Sequence, residues 1–185
     1  MPLGVPADAY ATLVRELKRL GVETVVDTEG EPLRLAAREE PTLITPNMVE
    51  AEGLVGYEFG DDEGAAEAIT EMLSMGPREV VVTLTDGCIG KLVDNVNGSA
   101  ILRARIEPQE PRSATGSGDA FLAGLVAARY AGAGAEECLR RAVACGAEST
   151  RHFGAGIVDP NEAAKMIDSI DVTQVKVPDG TEVNA

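Results

Sequence analysis

A chain of 185 residues that is 44% hydrophobic has enough apolar material for one compact domain, since domains commonly run to about 100–200 residues. Its formal charge of -15 and the absence of basic runs argue against nucleic acid as a partner, because duplex binding depends on Lys and Arg neutralising phosphates. No run approaches the roughly 18 apolar residues of a membrane span, and Met1-Pro2-Leu3-Gly4 lacks the regions of a signal peptide, so a soluble, cytoplasmic protein is expected.

From Asp8 to Leu20 the apolar residues Tyr10, Leu13, Val14, Leu17 and Leu20 recur at three- and four-residue steps, which predicts an amphipathic helix stopped by Gly21. A strand over Val22–Asp27 follows, then a short helix around Pro32–Arg38 and a strand over Thr42–Thr45. Two helical stretches come next, Asn47–Leu54 and Asp61–Met75, the second ended by Gly76-Pro77. Val80–Leu84 is a continuous apolar strand of the kind buried on both faces of a parallel sheet. Asp86-Gly87 signals a hairpin. Ile89–Asp94 and Ala100–Ile106 read as two more strands, joined by a polar turn over Asn95–Ser99 and so expected to pair antiparallel at a sheet edge. Helices over Gly118–Ala131, Ala135–His152 and Pro160–Ile170, a strand over Val172–Val177 and a polar tail complete the chain. Strands alternating with helices predict a single α/β domain with a mostly parallel sheet.

The three cysteines, Cys88, Cys138 and Cys145, are odd in number and never spaced as Cys-x-x-Cys, so neither a disulfide framework nor a zinc site is suggested. They read as small buried residues. His152 is the only histidine, which rules out multi-histidine metal sites and points to a structural role.

The most informative stretch is Thr115-Gly116-Ser117-Gly118-Asp119-Ala120-Phe121-Leu122-Ala123-Gly124, a glycine-rich turn that runs straight into a helix. Such a turn presents backbone N–H groups to an anion, and the helix amino terminus adds the equivalent of roughly half a positive charge. A carboxylate at that place competes for the same donors; on the residues alone Asp119 reads equally as a helix cap. A dinucleotide fingerprint would need glycine at Phe121, and a serine elbow centred on Ser117 would need glycines at Thr115 and Asp119. The P-loop pattern fails too, because Lys91 is followed by Leu92.

Ser113 to Gly124 resembles the second signature of the ribokinase-like PfkB carbohydrate kinases, in which the aspartate is the catalytic base. The resemblance implies that Asp119 deprotonates the attacking hydroxyl while the N–H groups of Gly116, Ser117 and Gly118 stabilise the transferring phosphoryl group. Pro46-Asn47-Met48-Val49-Glu50 is similar to the family's Asn-x-x-Glu motif. By that likeness Asn47 and Glu50 would serve the nucleotide and, indirectly, Mg2+, although the pattern is also that of an ordinary helix start. Val82-Thr83-Leu84-Thr85-Asp86-Gly87 resembles the strand and turn beneath the nucleotide, one residue shorter than the usual Leu-Gly-x-x-Gly, which makes Thr83, Thr85 and Gly87 nucleotide-contact candidates. Ala144-Cys145-Gly146-Ala147 with Ser149 and Thr150 looks like the helix walling the adenine pocket, giving Cys145, Gly146 and Ser149; close helix packing explains the same small residues. Phe153-Gly154-Ala155-Gly156 is similar to a loop that helps to hold K+ in some members.

The resemblance spans about Val5 to Val177 and implies a three-layer α/β/α sandwich lacking the family's amino-terminal strands and lid. Gly4–Tyr10 and Asp27–Gly30 most resemble 1-phosphofructokinases and tagatose-6-phosphate kinases. The implied ligands are ATP and a phosphorylated ketohexose. Two readings follow: a sugar kinase, or a nucleotide-binding module without an acceptor site. A third, a non-kinase α/β protein with a merely capped turn, does not use the resemblance. A half-sheet would expose a pairing edge, so a homo-oligomer or a partnering amino-terminal half is expected.

The acidic residues are scattered along the helices, and only sixteen Lys and Arg oppose thirty-one Asp and Glu, a balance resembling proteins of salt-loaded cytoplasm. Salt shortens the screening length to about 3 Å at 1 M and so relieves self-repulsion. The melting temperature should therefore rise from dilute buffer to molar potassium chloride; a flat or falling thermal scan would contradict salt adaptation.

Overall fold

The computed structural model describes residues 4–93, 100–107 and 110–176. Six strands form one sheet in the order β1-β2-β3-β4-β5-β6, and the described chain divides into two compact units. The first unit holds the described residues up to Val82 together with Gly90–Leu92 and the described residues from Val175; the second holds Thr83–Ile89 and the described residues from Val93 to Gln174. No helix among the described residues is long and apolar enough to cross a membrane.

The first unit opens with α1 (Ala9–Arg19), closed by a Schellman arrangement. Gly21, at φ 70°, donates to the Lys18 carbonyl at 3.0 Å and Val22 to that of Leu17 at 3.0 Å. That closure is why the strand predicted from Val22 begins later. Val22 is held in the helix cap, and β1 covers only Val25–Val26. Next come α2 (Gly30–Ala37), β2 (Leu43–Ile44), α3 (Met48–Val55), α4 (Asp62–Ser74) and β3 (Glu79–Leu84). β1, β2 and β3 run parallel, with Val25 opposite Leu43 and Leu43 opposite Glu79.

Leu33, Leu43, Ile44, Ile69, Met72 and Val80 are fully buried and form the core of this unit. On its surface Arg34 of α2 donates to the carbonyls of Gly53 at 2.7 Å and Leu54 at 3.3 Å, so a cation closes the carboxyl end of α3. Asp61 caps α4 by accepting from Gly64 N–H at 2.8 Å.

The hairpin signalled by Asp86-Gly87 is present, but its two-residue turn is Thr85 and Asp86, one residue earlier, and Gly87 already opens β4 (Gly87–Lys91). β4 pairs with β5 (Ile101–Arg105), the connecting turn expected over Asn95–Ser99 lying outside the described residues. The two strands are antiparallel: Ile106 N–H donates to the Asp86 carbonyl at 3.0 Å, while Gly87 faces Ala104. The expectation that this pair ends the sheet is corrected, because β6 (Asp171–Val175) lies beyond β5. Its exposed residues explain why so weak a pattern gave no sign of edge position.

Inside the hairpin the Arg103 side chain is 2% exposed. Its guanidinium donates to the carbonyls of Cys88 at 3.1 Å and Ala104 at 2.5 Å and pairs with the Asp86 carboxylate. Burial pushes the neighbouring Cys88 thiol up to about 12, which leaves it protonated and inert.

The rest of the second unit is helical: α5 (Ser117–Tyr130), α6 (Ala135–Ser149) and α7 (Pro160–Met166), the last followed by a 3-10 turn over Ile167–Ser169. α5 and α6 lie antiparallel and close. A Cβ on Gly124 would sit 2.8 Å from the Arg141 carbonyl oxygen, and one on Gly146 would sit 3.2 Å from Phe121 Cβ. Small residues at both points let the backbones approach.

Gly87 is the least replaceable glycine of the hairpin. At φ 135° its Cβ would stand 2.1 Å from the Ala104 carbonyl oxygen. Gly87→Ala should lower stability by about 2 kcal/mol, seen as an earlier urea midpoint with an unchanged slope; an unmoved midpoint would refute the clash.

Candidate active site

The glycine-rich turn of the second unit sets the site. Gly116 adopts φ 80°, a left-handed conformation, and is the N-cap of α5, which starts at Ser117. Asp119 is thus the third residue of the helix rather than its cap. The cap alternative left open by the sequence does not describe the residue. Its side chain is exposed, and no hydrogen bond or ion pair ties it to another described residue.

The amides of the turn divide into two kinds. Ser117 N–H donates to the Ala114 carbonyl at 3.2 Å, and its hydroxyl donates to the same oxygen at 2.9 Å. Ala120 N–H closes the first helical turn on the Gly116 carbonyl at 3.0 Å. Among the described residues the amides of Gly116, Gly118 and Asp119 donate to no carbonyl. A Cβ on Gly118 would meet nothing within 4 Å. Unused donors at the positive end of a fourteen-residue helix suit an anion.

Behind the turn lies the loop after α6. A Cβ on Gly116 would come within 2.7 Å of Gly156 N and 3.0 Å of Ala155 Cα, so only glycine allows this approach. The entry to the turn is fastened as well: Thr150 accepts at its carbonyl from Arg112 N–H at 2.8 Å and Ser113 N–H at 3.1 Å.

Of the α6 candidates, Gly146 lies under the start of α5, its missing Cβ 3.4 Å from the Ser117 carbonyl oxygen. Cys145 packs against Gly124, and burial, with the nearby Glu148 charge, pushes its thiol up. Ser149 is buried and donates to the Gly146 carbonyl at 2.8 Å. Cys145 and Gly146 therefore serve the close contact of α5 and α6, while Ser149 bonds within its own helix. Thr83 and Thr85 stand on the β3–β4 hairpin, and Gly87 is occupied by its approach to Ala104.

Asn47 and Glu50 belong to the first unit, where they form a capping box on α3. Asn47 Oδ1 accepts from Glu50 N–H at 3.0 Å, and Glu50 Oε2 accepts from Asn47 N–H at 2.9 Å. Burial first, then the charges of Asp27 and Glu29, push the Glu50 carboxyl above the usual range, against the lowering effect of the Asn47 N–H. Among the described residues no group of three or more His, Cys, Asp and Glu is gathered to hold a metal.

The sequence did not single out the buried charged residues Glu79, Arg103 and Glu148. Nothing in a one-residue reading marks a charge as buried; the nearest signal is an Arg inside a strand and a Glu on the small-residue face of α6.

Residues 1–162 match the profile of the pfkB family carbohydrate kinases. A 1-phosphofructokinase of Rhodobacter capsulatus is 30% identical over 173 residues, which are 93% of this chain and 53% of the relative. Phosphofructokinase-2 of Escherichia coli, solved in complex with substrates and products, superposes with a TM-score of 0.80 at 26% identity, over 91% of this chain and 54% of that one. Arabidopsis thaliana ribokinase, complexed with ribose and ATP, gives a TM-score of 0.74 at 24% identity over 88% and 53%, a likeness of fold. The chain spans about half the length of the curated relatives it matches.

The capping box has a direct test. Asn47→Ala should cost about 1 kcal/mol of stability while Asn47→Asp retains the cap; equal denaturation midpoints for wild type and Asn47→Ala would show that the box contributes nothing.

Proposed function

Because the chain belongs to the pfkB family of carbohydrate kinases, we propose that it forms the nucleotide-binding, carboxy-terminal portion of a sugar kinase. The reaction is transfer of the γ-phosphoryl group of ATP to a hydroxyl of a phosphorylated ketohexose, with fructose 1-phosphate the acceptor suggested by the relatives. One observation carries this reading: an exposed, unpartnered Asp119 in the first turn of a helix whose Gly116 and Gly118 amides are unspent.

Each part has a role in that chemistry. Phosphoryl transfer asks the protein mainly for positioning and for dipoles aimed at the developing charge. The Gly116 and Gly118 amides, with the helix end, meet that need. Ser117 contributes its place in the turn rather than its amide, which is bonded to Ala114. Asp119 accepts the proton of the attacking hydroxyl. Mg2+ supplies neutralisation of the nucleotide's phosphates. Asn47 and Glu50, whose side-chain oxygens serve the α3 capping box, would act on the cation only indirectly. Thr83, Thr85, Gly87, Cys145, Gly146 and Ser149 shape the nucleotide's surroundings, the glycines by absence of a side chain. K+ at the Phe153–Gly156 loop, a cytoplasmic and salt-adapted setting, and a homo-oligomer belong to the same proposal.

A second reading is favoured by a specific fact, the coverage of about half of each relative. In it the 185 residues bind nucleotide but need a partner half to present the sugar. Titration with Mg-ATP and a coupled assay with fructose 1-phosphate separate the two readings. Binding with turnover supports the enzyme, binding without turnover supports the module, and no binding rejects both. Where turnover exists, Asp119→Asn should cut it by about 100-fold or more with nucleotide affinity retained; full activity in that variant would remove Asp119 from the role of base.

A further inference from the structure

Glu148 lies in the last turn of α6 with its side chain 1% exposed, where a carboxylate is costly unless its oxygens are bonded. Both are bonded. Oε1 accepts from the ring Nε2 of His152 at 2.6 Å, and Oε2 accepts from the backbone N–H of Asp159 at 2.9 Å. These bonds gather residues 152–159 at both ends. The middle of that loop is the surface on which the turn rests, since Ala155 and Gly156 occupy the space that a Gly116 Cβ would need.

Two routes thus run from the end of α6 to the turn. The Thr150 carbonyl fastens Arg112 and Ser113, upstream of Gly116. The Glu148 carboxylate fastens the loop behind it. An apolar side chain would fill the Glu148 site at less cost in desolvation. A buried charge gripping both loop ends is explained by what the loop supports.

We infer that Glu148 and His152 are a positioning pair for the phosphoryl-binding turn: they pin residues 152–159 so that Ala155 and Gly156 hold Gly116 in its left-handed conformation. The inference rests on the proposed reading of the turn as a phosphate cradle, but the mechanical tie is measurable without it. Neither side chain touches the reacting atoms in this scheme. Their effect passes through the loop backbone.

Residue-resolved amide exchange on the full 185-residue chain tests the tie. The informative amides are bonded ones: Asp159 on the carboxylate, and Ser117 and Ala120 in the turn. In Glu148→Gln and His152→Ala all three should exchange about tenfold faster, with those of α3 and α4 unchanged. His152→Gln, which keeps an N–H donor, should restore wild-type exchange. His152 is partly exposed at 34%, so this pair of variants decides the matter even where Glu148→Gln does not fold. Acceleration at Asp159 alone, with Ser117 and Ala120 as in wild type, overturns the inference. In a wild type that turns over Mg-ATP, His152→Ala should lower kcat about tenfold at an unchanged nucleotide KM; a change in KM alone overturns the role. A wild type that fails to bind Mg-ATP sinks the cradle reading and leaves the exchange result to stand by itself.

Discussion

The backbone contact between α5 and α6 governs the second unit. At Gly124 the two helices approach to a distance that any side chain would block, and at Gly146 to one that leaves a side chain little room. That closeness reaches the first residue of α5, Ser117, and the start of α5 is where the proposed chemistry lies. The helix dipole, the unspent amides and the Asp119 carboxylate owe their common position to two residues that lack side chains. Small-residue packing is usually treated as an alternative to function in such a segment. Here it holds the turn for which a phosphate-binding role is proposed, and the α6 residues Cys145 and Gly146 belong to that support.

Much of this was visible in the sequence, for definable reasons. The apolar spacing of Tyr10, Val14 and Leu17 gave α1, and Asp86-Gly87 gave the hairpin with its turn one residue late, because period and turn chemistry are local properties. Asn47 and Glu50 gave the start of α3, since a capping box is written within four residues. Strand lengths were less legible. The stretch Val22–Asp27 reads as continuous strand, yet Val22 is claimed by a helix cap that depends on three-dimensional closure at Gly21. Sheet position was misread at β5, where the covering strand Asp171–Val175 is distant in the chain and largely polar.

For the site itself, the glycine spacing around Asp119 was legible, but its relation to the loop after α6 was not. Contacts between Gly116 and Gly156 join positions forty residues apart and leave no periodic mark. Buried charge was the other hidden feature. Arg103 and Glu148 look like the solvated charges around them, and both are almost wholly enclosed. One neutralises Asp86 across a hairpin; the other gathers the ends of a loop. In a protein this acidic, placing an anion inside is a specific arrangement of donors rather than a consequence of composition.

The glycines of β4 have an outcome for sequence drift. Gly87 faces the Ala104 carbonyl of one neighbouring strand, and Gly90 faces Val81 of the other, its absent Cβ 2.7 Å from a Val81 methyl. A one-residue slide of β4 against its neighbours would put a side chain into each of these slots at once. The two glycines therefore fix the register of β4, and any change in hairpin length has to be absorbed within the turn.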